Sequence, residues 1–269
     1  MGAITGAFAM SHVVFEPEKS PDKARRVWAG MREIARRVQA LKPDLLIIAT
    51  NDHLNNFTLA LQAPFVVVVA DEYTPLGDMG IPKKPCRGNR EFADGLVRFA
   101  AGAGFDLARA EEVAPDHGFA FPNLVVNPAG RIPVLPFYIN VANDIPPTPA
   151  RVWSLGGMVR DFVTRERPAA ERVAVLGAGG LSHWLCEPEQ GRVNEAFDRM
   201  VIDKLVSGRA QELAALTSAQ ICRDAGRSGL EVMHWIFAAA TVPGTVAEEV
   251  FYEPMPEWIT GLGGVALTP

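Results

Sequence analysis

Apolar residues along the chain follow two alternating patterns. Residues 44–50 form an almost continuous apolar run, which is typical of a strand buried on both faces of a sheet. Between residues 21 and 41 the apolar positions recur every three or four residues, which predicts an amphipathic helix. The same criteria predict further strands at 3–10, 65–70, 132–141 and 172–176. They predict further helices at 89–103, 149–164, 193–207 and 228–240.

The alternation of strands and helices predicts an α/β fold. We expect a single globular domain over residues 1–269, in which a central, largely buried mixed β-sheet is flanked by helices. With 48% hydrophobic residues the chain has enough apolar material for such a core. Its formal net charge of −5 and its lack of a basic block argue against a nucleic-acid partner. No apolar segment reaches the ~18–20 residues of a membrane helix, so no membrane partner is expected.

The cysteines indicate a reducing compartment. Cys86, Cys186 and Cys222 lie far apart and form no CxxC pair, so neither a disulfide framework nor a zinc knuckle is expected. Because disulfides are rare in the cytosol, this pattern predicts a cytoplasmic protein.

The histidines are distributed in an unusual way. Four of the five follow a predicted strand or a turn: His12, His53, His117 and His183. In open α/β sheets ligands bind at the carboxyl ends of the strands, so we expect these four imidazoles to share one site. Each of them taken alone is more often a structural histidine than a functional one.

Two histidines and one carboxylate form the facial arrangement that holds Fe(II) in non-haem oxygenases. Glu231 is the candidate carboxylate, because it stands at the start of an otherwise apolar helix, where burying a charge is costly without a partner. The alternative is an ordinary acidic residue stabilised by the positive end of the helix dipole. His234 is interpreted as a core residue or as a residue that supports the site from behind.

A set of short motifs resembles a known family when it is taken in order. The set resembles the type III extradiol ring-cleavage dioxygenases, in particular those of the form of the catalytic β subunit of protocatechuate 4,5-dioxygenase. The motifs span nearly the whole chain, although each is weak alone. They are Ser11-His12, Asn51-Asp-His53, Asp116-His-Gly118, Gly179-Gly-Leu-Ser-His183 and Gly229-Leu-Glu231.

The resemblance implies specific roles for these residues. A single Fe(II) would be held by His12, His53 and Glu231. His183 would be the acid/base residue, and His117 the second active-site histidine. Asn51 and Ser11 would bind substrate or orient the site. A neutral imidazole suits proton transfer near neutral pH, because its ordinary pKa lies near ~6.5.

The resemblance also implies the reaction and the partners. The expected substrates are O2 and a catechol-type aromatic diol similar to protocatechuate or gallate, and the expected product is a ring-opened semialdehyde or keto acid. Either a small α subunit or a homo-oligomer is expected. An acidic substrate needs a cation for its carboxylate. Lys83, Lys84 and Arg87 lie in a Pro/Gly-rich loop that would be either a lid or, more simply, a solvated turn.

Two other functions are compatible with the same residues. A zinc-dependent hydrolase would use the same two histidines and the glutamate, with His183 or His117 as the base. A non-catalytic partner subunit of a dioxygenase would share the fold but should have lost a metal ligand, and all the candidate ligands are present here.

Overall fold

An eight-stranded sheet forms the centre of the computed structural model, which describes residues 1–12 and 20–268. The strand order across this sheet is β6-β3-β7-β2-β8-β1-β10-β9, and β4 and β5 form a separate two-stranded ribbon. The strands are β1 (Ala3–Met10), β2 (Leu45–Thr50), β3 (Phe65–Val68), β4 (Glu72–Tyr73), β5 (Cys86–Arg87), β6 (Ala108–Ala110), β7 (Val134–Ile139), β8 (Arg172–Ala178), β9 (Glu248–Met255) and β10 (Thr260–Leu267).

Helices cover both faces of this sheet. The α-helices are α1 (Pro21–Ala40), α2 (Arg90–Gly102), α3 (His117–Val126), α4 (Pro149–Glu166), α5 (Glu195–Val206), α6 (Ser218–Ala225) and α7 (Val232–Thr241). Short 3-10 turns lie at Asp78–Gly80, Ala210–Ala215, Ser228–Glu231 and Pro256–Trp258. In the described part of the chain no helix is both long and apolar enough to cross a bilayer.

The central strands of the sheet are parallel. β7, β2, β8 and β1 are neighbours and run in the same direction, so their carboxyl ends lie at one edge. The remaining pairs include antiparallel ones, because β10 lies antiparallel to both β1 and β9, and β3 lies antiparallel to β7. The sheet is therefore mixed, and the predicted fold class is confirmed.

Alternate residues of each central strand enter two separate apolar layers. In β2, Leu45 and Ile47 pack on the side of α2, α4, α5 and α7, whereas Leu46 and Ile48 pack on the side of α1 and α3. Successive side chains of a strand point to opposite faces, so a strand covered on both faces must be apolar throughout. This explains the continuous apolar run at residues 44–50.

Some elements differ from the prediction. Residues 228–240 were expected as one helix, but a 3-10 turn at Ser228–Glu231 precedes α7. The predictions did not include α3, α6, β9 or β10. α3 contains Pro122, which weakens a helical signal, and β10 contains three glycines, which are uncommon in strands. Tertiary packing stabilises α3 and β10 in spite of their local sequence, whereas α6 begins with a capping box formed by Thr217 and Gln220.

Close packing of α4 against α7 depends on one glycine. A Cβ atom at Gly156 would lie 2.5 Å from the carbonyl oxygen of Phe237 and 2.6 Å from the Cβ of Ala240. The next residue, Gly157, would place a Cβ with no described atom within 4 Å. Two adjacent glycines of one helix therefore have opposite packing requirements.

We expect Gly156→Ala to lower the free energy of unfolding by about 1–3 kcal/mol, because the added methyl overpacks the interface between α4 and α7. Gly157→Ala is the matched control and should raise it by roughly 0.5–1 kcal/mol, since alanine restricts the unfolded chain. Urea unfolding of both variants measures the difference. Equal effects of the two substitutions would contradict this account of the packing.

Candidate metal centre

The parallel topology brings distant parts of the chain to one edge of the sheet. His12 lies two residues after β1, His53 three residues after β2, and His183 five residues after β8. These three strands run in the same direction, so the segments that follow them meet at their shared carboxyl edge. His117 reaches the same place as the first residue of α3.

Three of the imidazoles form a tight cluster. The ligand nitrogens of His12, His53 and His117 all lie within 4.8 Å of one another. The His53 and His117 rings are stacked, with centroids 4.2 Å apart, and the His12 ring meets the edges of both at 5.1 and 5.7 Å. Imidazoles this close, with nitrogens converging, are suited to holding a divalent metal ion.

Glu231 lies against this cluster with one oxygen free to act as a ligand. Its Oε2 accepts a hydrogen bond from the backbone N–H of Gly180 at 2.6 Å. Its Oε1 lies 3.6 Å from Nε2 of His12 and 3.3 Å from Nε2 of His53. Two ligand atoms ~2.1 Å from a shared ion are roughly 3.0–3.4 Å apart, so these separations are close to what a common ion requires.

Carboxylates behind two of the imidazoles set their orientation. Nδ1 of His53 donates to Oδ2 of Asp116 at 3.1 Å, and Nδ1 of His117 donates to Oδ2 of Asp78 at 2.5 Å. A carboxylate only accepts, so in both rings Nδ1 carries the proton and Nε2 is the nitrogen left for a ligand. Carboxylate–histidine pairs of this kind orient the histidines of metal sites.

Asp116 also fixes the backbone around His53. Its Oδ2 accepts the backbone N–H of His53 at 2.8 Å, and its Oδ1 accepts the N–H of Gly118 as the N-cap of α3. Burial alone would raise the pKa of Asp116, but the hydrogen bonds from His53 outweigh it and hold that pKa below its usual range. The ionised carboxylate thus joins the end of β2 to the start of α3.

The charges of the cluster are those of a metal site. Burial lowers the pKa of His12 to about 3, so this ring is neutral. Burial would also lower the pKa of His53, but hydrogen bonds to Asp116 and Glu231 outweigh burial and raise it to about 10. Burial would raise the pKa of Glu231, but the neighbouring imidazoles hold it well below its usual value. Without a metal, His53 therefore carries a second proton on Nε2, which occupies the position where a metal cation would bind.

The donor set fits a divalent metal. Neutral imidazole nitrogens and one ionised carboxylate oxygen are ligands that suit both Fe(II) and Zn(II). For His12, Nε2 is the nitrogen that faces Oε1 of Glu231, and Nδ1 is buried without a hydrogen-bond partner among the described residues. Donor chemistry therefore supports a metal without choosing its identity.

His183 lies beside the cluster in a different environment. Its Nδ1 donates to the backbone carbonyl oxygen of Ile259 at 2.8 Å. Because a carbonyl only accepts, the neutral ring carries its proton on Nδ1, which leaves Nε2 as an acceptor. Its backbone N–H donates to the carbonyl of Ala225 at 2.7 Å, so the backbone is held as well as the ring.

A cavity of about 560 Å³ opens onto these residues. His12, His53, His117, His183 and Glu231 all line it. Much of the remaining wall is apolar: Leu54, Met79, Val141, Ala142, Leu185 and Ile259. An apolar cavity with a few convergent polar groups is the usual form of a small-molecule site.

The two other predicted residues lie in different positions. Asn51 lines the cavity, and its Oδ1 accepts the backbone N–H of Ala142 at 3.3 Å. Ser11 does not line this cavity: its Oγ accepts the N–H of Gly263 at 3.0 Å, which ties the end of β1 to β10. His234 is fully buried and donates from Nε2 to the carbonyl of Ile139 at 3.1 Å.

Sequence reasoning missed the residues that support the site. Asp116 adjoins His117 in one of the motifs, and that adjacency was the available signal. Asp78 lies in a 3-10 turn with no pattern that connects it to His117. Arg227 lines the cavity, whereas Lys83, Lys84 and Arg87 are exposed and do not line it. The basic loop is therefore a solvated turn rather than a wall of this cavity.

Comparison with known proteins identifies the class of enzyme. A sequence profile of the family described as the catalytic LigB subunit of aromatic ring-opening dioxygenase matches residues 6–263. The chain is 28% identical over 300 residues to 2,3-dihydroxyphenylpropionate/2,3-dihydroxicinnamic acid 1,2-dioxygenase of Photorhabdus laumondii, over 94% of this chain and 92% of the relative. It is 30% identical over 294 residues to the enzyme of the same name from Escherichia coli O81, over 91% of each.

A solved structure shares the fold. The crystal structure of the uncharacterized protein JW3007 from Escherichia coli K12 matches with a TM-score of 0.60 over 98% of this chain and 99% of the other. The sequence identity is 14%, so this similarity concerns the fold alone.

The chain belongs to the LigB family of extradiol-type aromatic ring-opening dioxygenases. It is thus a catechol ring-cleaving dioxygenase, the predicted family is confirmed, and the alternatives of a zinc hydrolase and a non-catalytic subunit are set aside. The relatives are named for 2,3-dihydroxyphenylpropionate and 2,3-dihydroxicinnamic acid rather than for protocatechuate or gallate. The substrate expected from the sequence is therefore corrected.

A buried aspartate on α5 holds the loop that carries His183. Asp198 is fully buried and accepts three hydrogen bonds: from the backbone N–H of Ser182 at 2.7 Å, from the Ser182 hydroxyl at 2.9 Å and from the Tyr252 hydroxyl at 2.8 Å. Burial raises the pKa of Asp198 to about 6, although these hydrogen bonds oppose the shift.

This pKa predicts a pH dependence of stability. Between pH ~4 and ~6 the folded chain keeps a proton on Asp198 that the unfolded chain has lost, so stability falls as the pH rises through this interval. A shift of about two units corresponds to roughly 3 kcal/mol. Asp198→Asn has no such titration, so the stability advantage of the wild type over the variant should shrink by about 2 kcal/mol between pH 4.5 and pH 7.5, because the remainder of the change falls below pH 4.5.

Denaturant unfolding at several pH values measures this difference. Asp203→Asn, at an exposed carboxylate of the same helix, is the matched control and should show no comparable change. A difference between the wild type and Asp198→Asn that stays constant with pH would overturn the prediction.

Proposed function

We propose that the protein is an Fe(II)-dependent extradiol dioxygenase whose substrate is a catechol with an acidic side chain on the ring. The observation that carries the proposal is the position of Glu231 Oε1, which faces Nε2 of His12 and of His53 at 3.6 and 3.3 Å in a cavity that also contains His183. The domain that performs this reaction would span residues 1–269, of which residues 13–19 and 269 lie outside the described part.

His12, His53 and Glu231 would hold the metal. The Gly180 N–H fixes one oxygen of Glu231 and leaves the other as a single ligand atom. Two imidazoles and one monodentate carboxylate leave open positions for substrate and O2. The chemistry that ferrous iron supplies when bound is the transfer of electron density from the diol ring to O2.

His183 would move the proton of the substrate. Its Nε2 is an acceptor, because Nδ1 donates to the Ile259 carbonyl, so it can take a proton from a ring hydroxyl and later return it. His117, with Nδ1 held by Asp78, would direct Nε2 toward the bound substrates; when Nε2 also carries a proton, it would donate a hydrogen bond to an oxygen that develops negative charge. Asn51 would help to orient the substrate from the cavity wall.

The substrate class follows from the relatives and the cavity together. Both relatives described above are named for diols that carry a three-carbon acid side chain. The cavity, about 560 Å³ with a largely apolar wall, has room for a ring and such a chain. The product would be a ring-opened keto acid that retains the side chain. Cytoplasmic location and association with an α subunit or with further copies of the chain remain predictions.

Removal of a ligand should abolish metal binding. We expect His12→Ala, His53→Ala and Glu231→Ala each to weaken Fe(II) binding by more than ~100-fold, since loss of even a supporting residue commonly costs 10–100-fold. Anaerobic titration with Fe(II), followed by metal analysis of the desalted protein, measures this. His117→Ala should retain the metal. If it loses the metal while Glu231→Ala keeps it, the ligand set is the three histidines.

Loss of His183 should separate metal binding from turnover. His183→Ala should keep one iron per chain but lower kcat by about 10²–10⁴-fold, the usual contribution of a general acid/base. Ring cleavage of 2,3-dihydroxyphenylpropionate is followed by absorbance, and O2 uptake is measured in parallel. Near-normal turnover by His183→Ala would place the base elsewhere.

A further inference from the structure

The wall of the cavity contains one basic side chain besides the histidines. Among the described residues that line it, Arg227 is the single lysine or arginine, and it stands among Leu54, Val141, Leu185 and other apolar neighbours. A guanidinium beside apolar surface is costly unless it is paired with an acceptor. Arg227 is therefore the candidate group in this wall for contacting an acidic ligand.

Arg227 is held in place on two sides. Its Nη2 donates to the backbone carbonyl oxygen of Asn143, and its own backbone N–H donates to Oε1 of Glu187 at 2.7 Å. The residue is also the N-cap of the 3-10 turn Ser228–Glu231. A guanidinium held in this way loses little conformational entropy when a ligand binds.

The guanidinium keeps donors for a ligand. It donates to the Asn143 carbonyl, and no carboxylate of the described residues lies within 4 Å of it in an ion pair. Five N–H donors are available on a guanidinium, and its planar fork matches the two oxygens of a carboxylate. Glu187 accepts the backbone N–H of Arg227 through Oε1, and among the described contacts it forms no ion pair with the guanidinium.

Arg227 lies one turn from the metal centre. The 3-10 turn that begins after Arg227 ends at Glu231, and a rise of ~2.0 Å per residue separates the two by on the order of 8 Å along the turn. Both side chains line the same cavity. A ring bound beside Glu231 can therefore extend a short side chain along the apolar wall toward Arg227.

We propose that Arg227 binds the carboxylate of the substrate's side chain and so selects acidic catechols over neutral ones. This inference rests on the proposed function and adds a specificity-determining residue to it. The sequence indicated no particular lysine or arginine for this role, and the basic loop with Lys83, Lys84 and Arg87 lies outside the cavity wall.

A pair of substrates that differ only in charge tests the proposal. The wild type, Arg227→Met and Arg227→Lys are each loaded anaerobically with Fe(II) and assayed with 2,3-dihydroxyphenylpropionate and with 3-propylcatechol, its neutral counterpart. For Arg227→Met we expect kcat/KM to fall about 10- to 150-fold with the acid, the value of a charge-assisted hydrogen bond, mainly through KM. With 3-propylcatechol it should change by less than about threefold. Arg227→Lys should restore part of the loss.

A binding measurement makes the test independent of turnover. Anaerobic calorimetry with 3-phenylpropionate, which has the acid side chain but no diol, should show that Arg227→Met binds it at least about tenfold more weakly than the wild type. Arg192→Gln is the matched control: Arg192 is exposed, stacks on Trp184 with 4.7 Å between the guanidinium carbon and the ring centroid, and is absent from the cavity wall. It should leave both substrates and the acid ligand unaffected.

The outcomes separate the inference from the function on which it rests. If Arg227→Met and Arg227→Lys lose both substrates equally, Arg227 is structural and the inference is wrong. If both variants treat the acid as the wild type does, the inference is also wrong. If the wild type cleaves neither diol, the proposed function fails, and binding of 3-phenylpropionate still decides whether Arg227 is a carboxylate site.

Discussion

The position of the Glu231 carboxylate is the constraint on which the site depends. A buried carboxylate is stable only with compensating donors or cations. Here the backbone N–H of Gly180 donates to Oε2 of Glu231, while Oε1 faces Nε2 of His12 and of His53. These groups come from the ends of β1, β2 and β8 and from the turn before α7, so the parallel centre of the sheet and the packing of α7 must both form before the site exists.

A second regularity is that three imidazoles of the cavity are anchored in the same way. Asp116, Asp78 and the Ile259 carbonyl each accept the Nδ1 proton of a different histidine. In each case the neutral ring carries its proton on Nδ1 and presents Nε2 to the cavity. The anchor therefore fixes the orientation of the ring, whether that ring is a proposed metal ligand, like His53, or faces the substrates.

Two parts of the cavity have different roles: the histidine cluster with Glu231 on one side, and the largely apolar wall with Arg227 on the other. The converging histidines and Glu231 suit a diol and O2 whatever else the ring bears. Apolar side chains and Arg227 determine what can extend from the ring. Family membership establishes the class of reaction, and the wall is where members of one family can differ in substrate.

The sequence by itself determined the α/β class and most of the central strands and helices, because the hydrophobic pattern of an element is a local property of the chain. Short motifs are local as well, and they identified the candidate residues: His12, His53, His117, His183 and Glu231. It did not reveal β10, with its three glycines, or α3, with an internal proline. Only the tertiary structure decided which nitrogen of each imidazole faces the cavity, that Asp78 supports His117, and that Arg227 rather than the basic loop lines the wall. These features depend on burial and on partners tens to hundreds of residues away, such as Ile259 for His183, and no local pattern encodes such contacts.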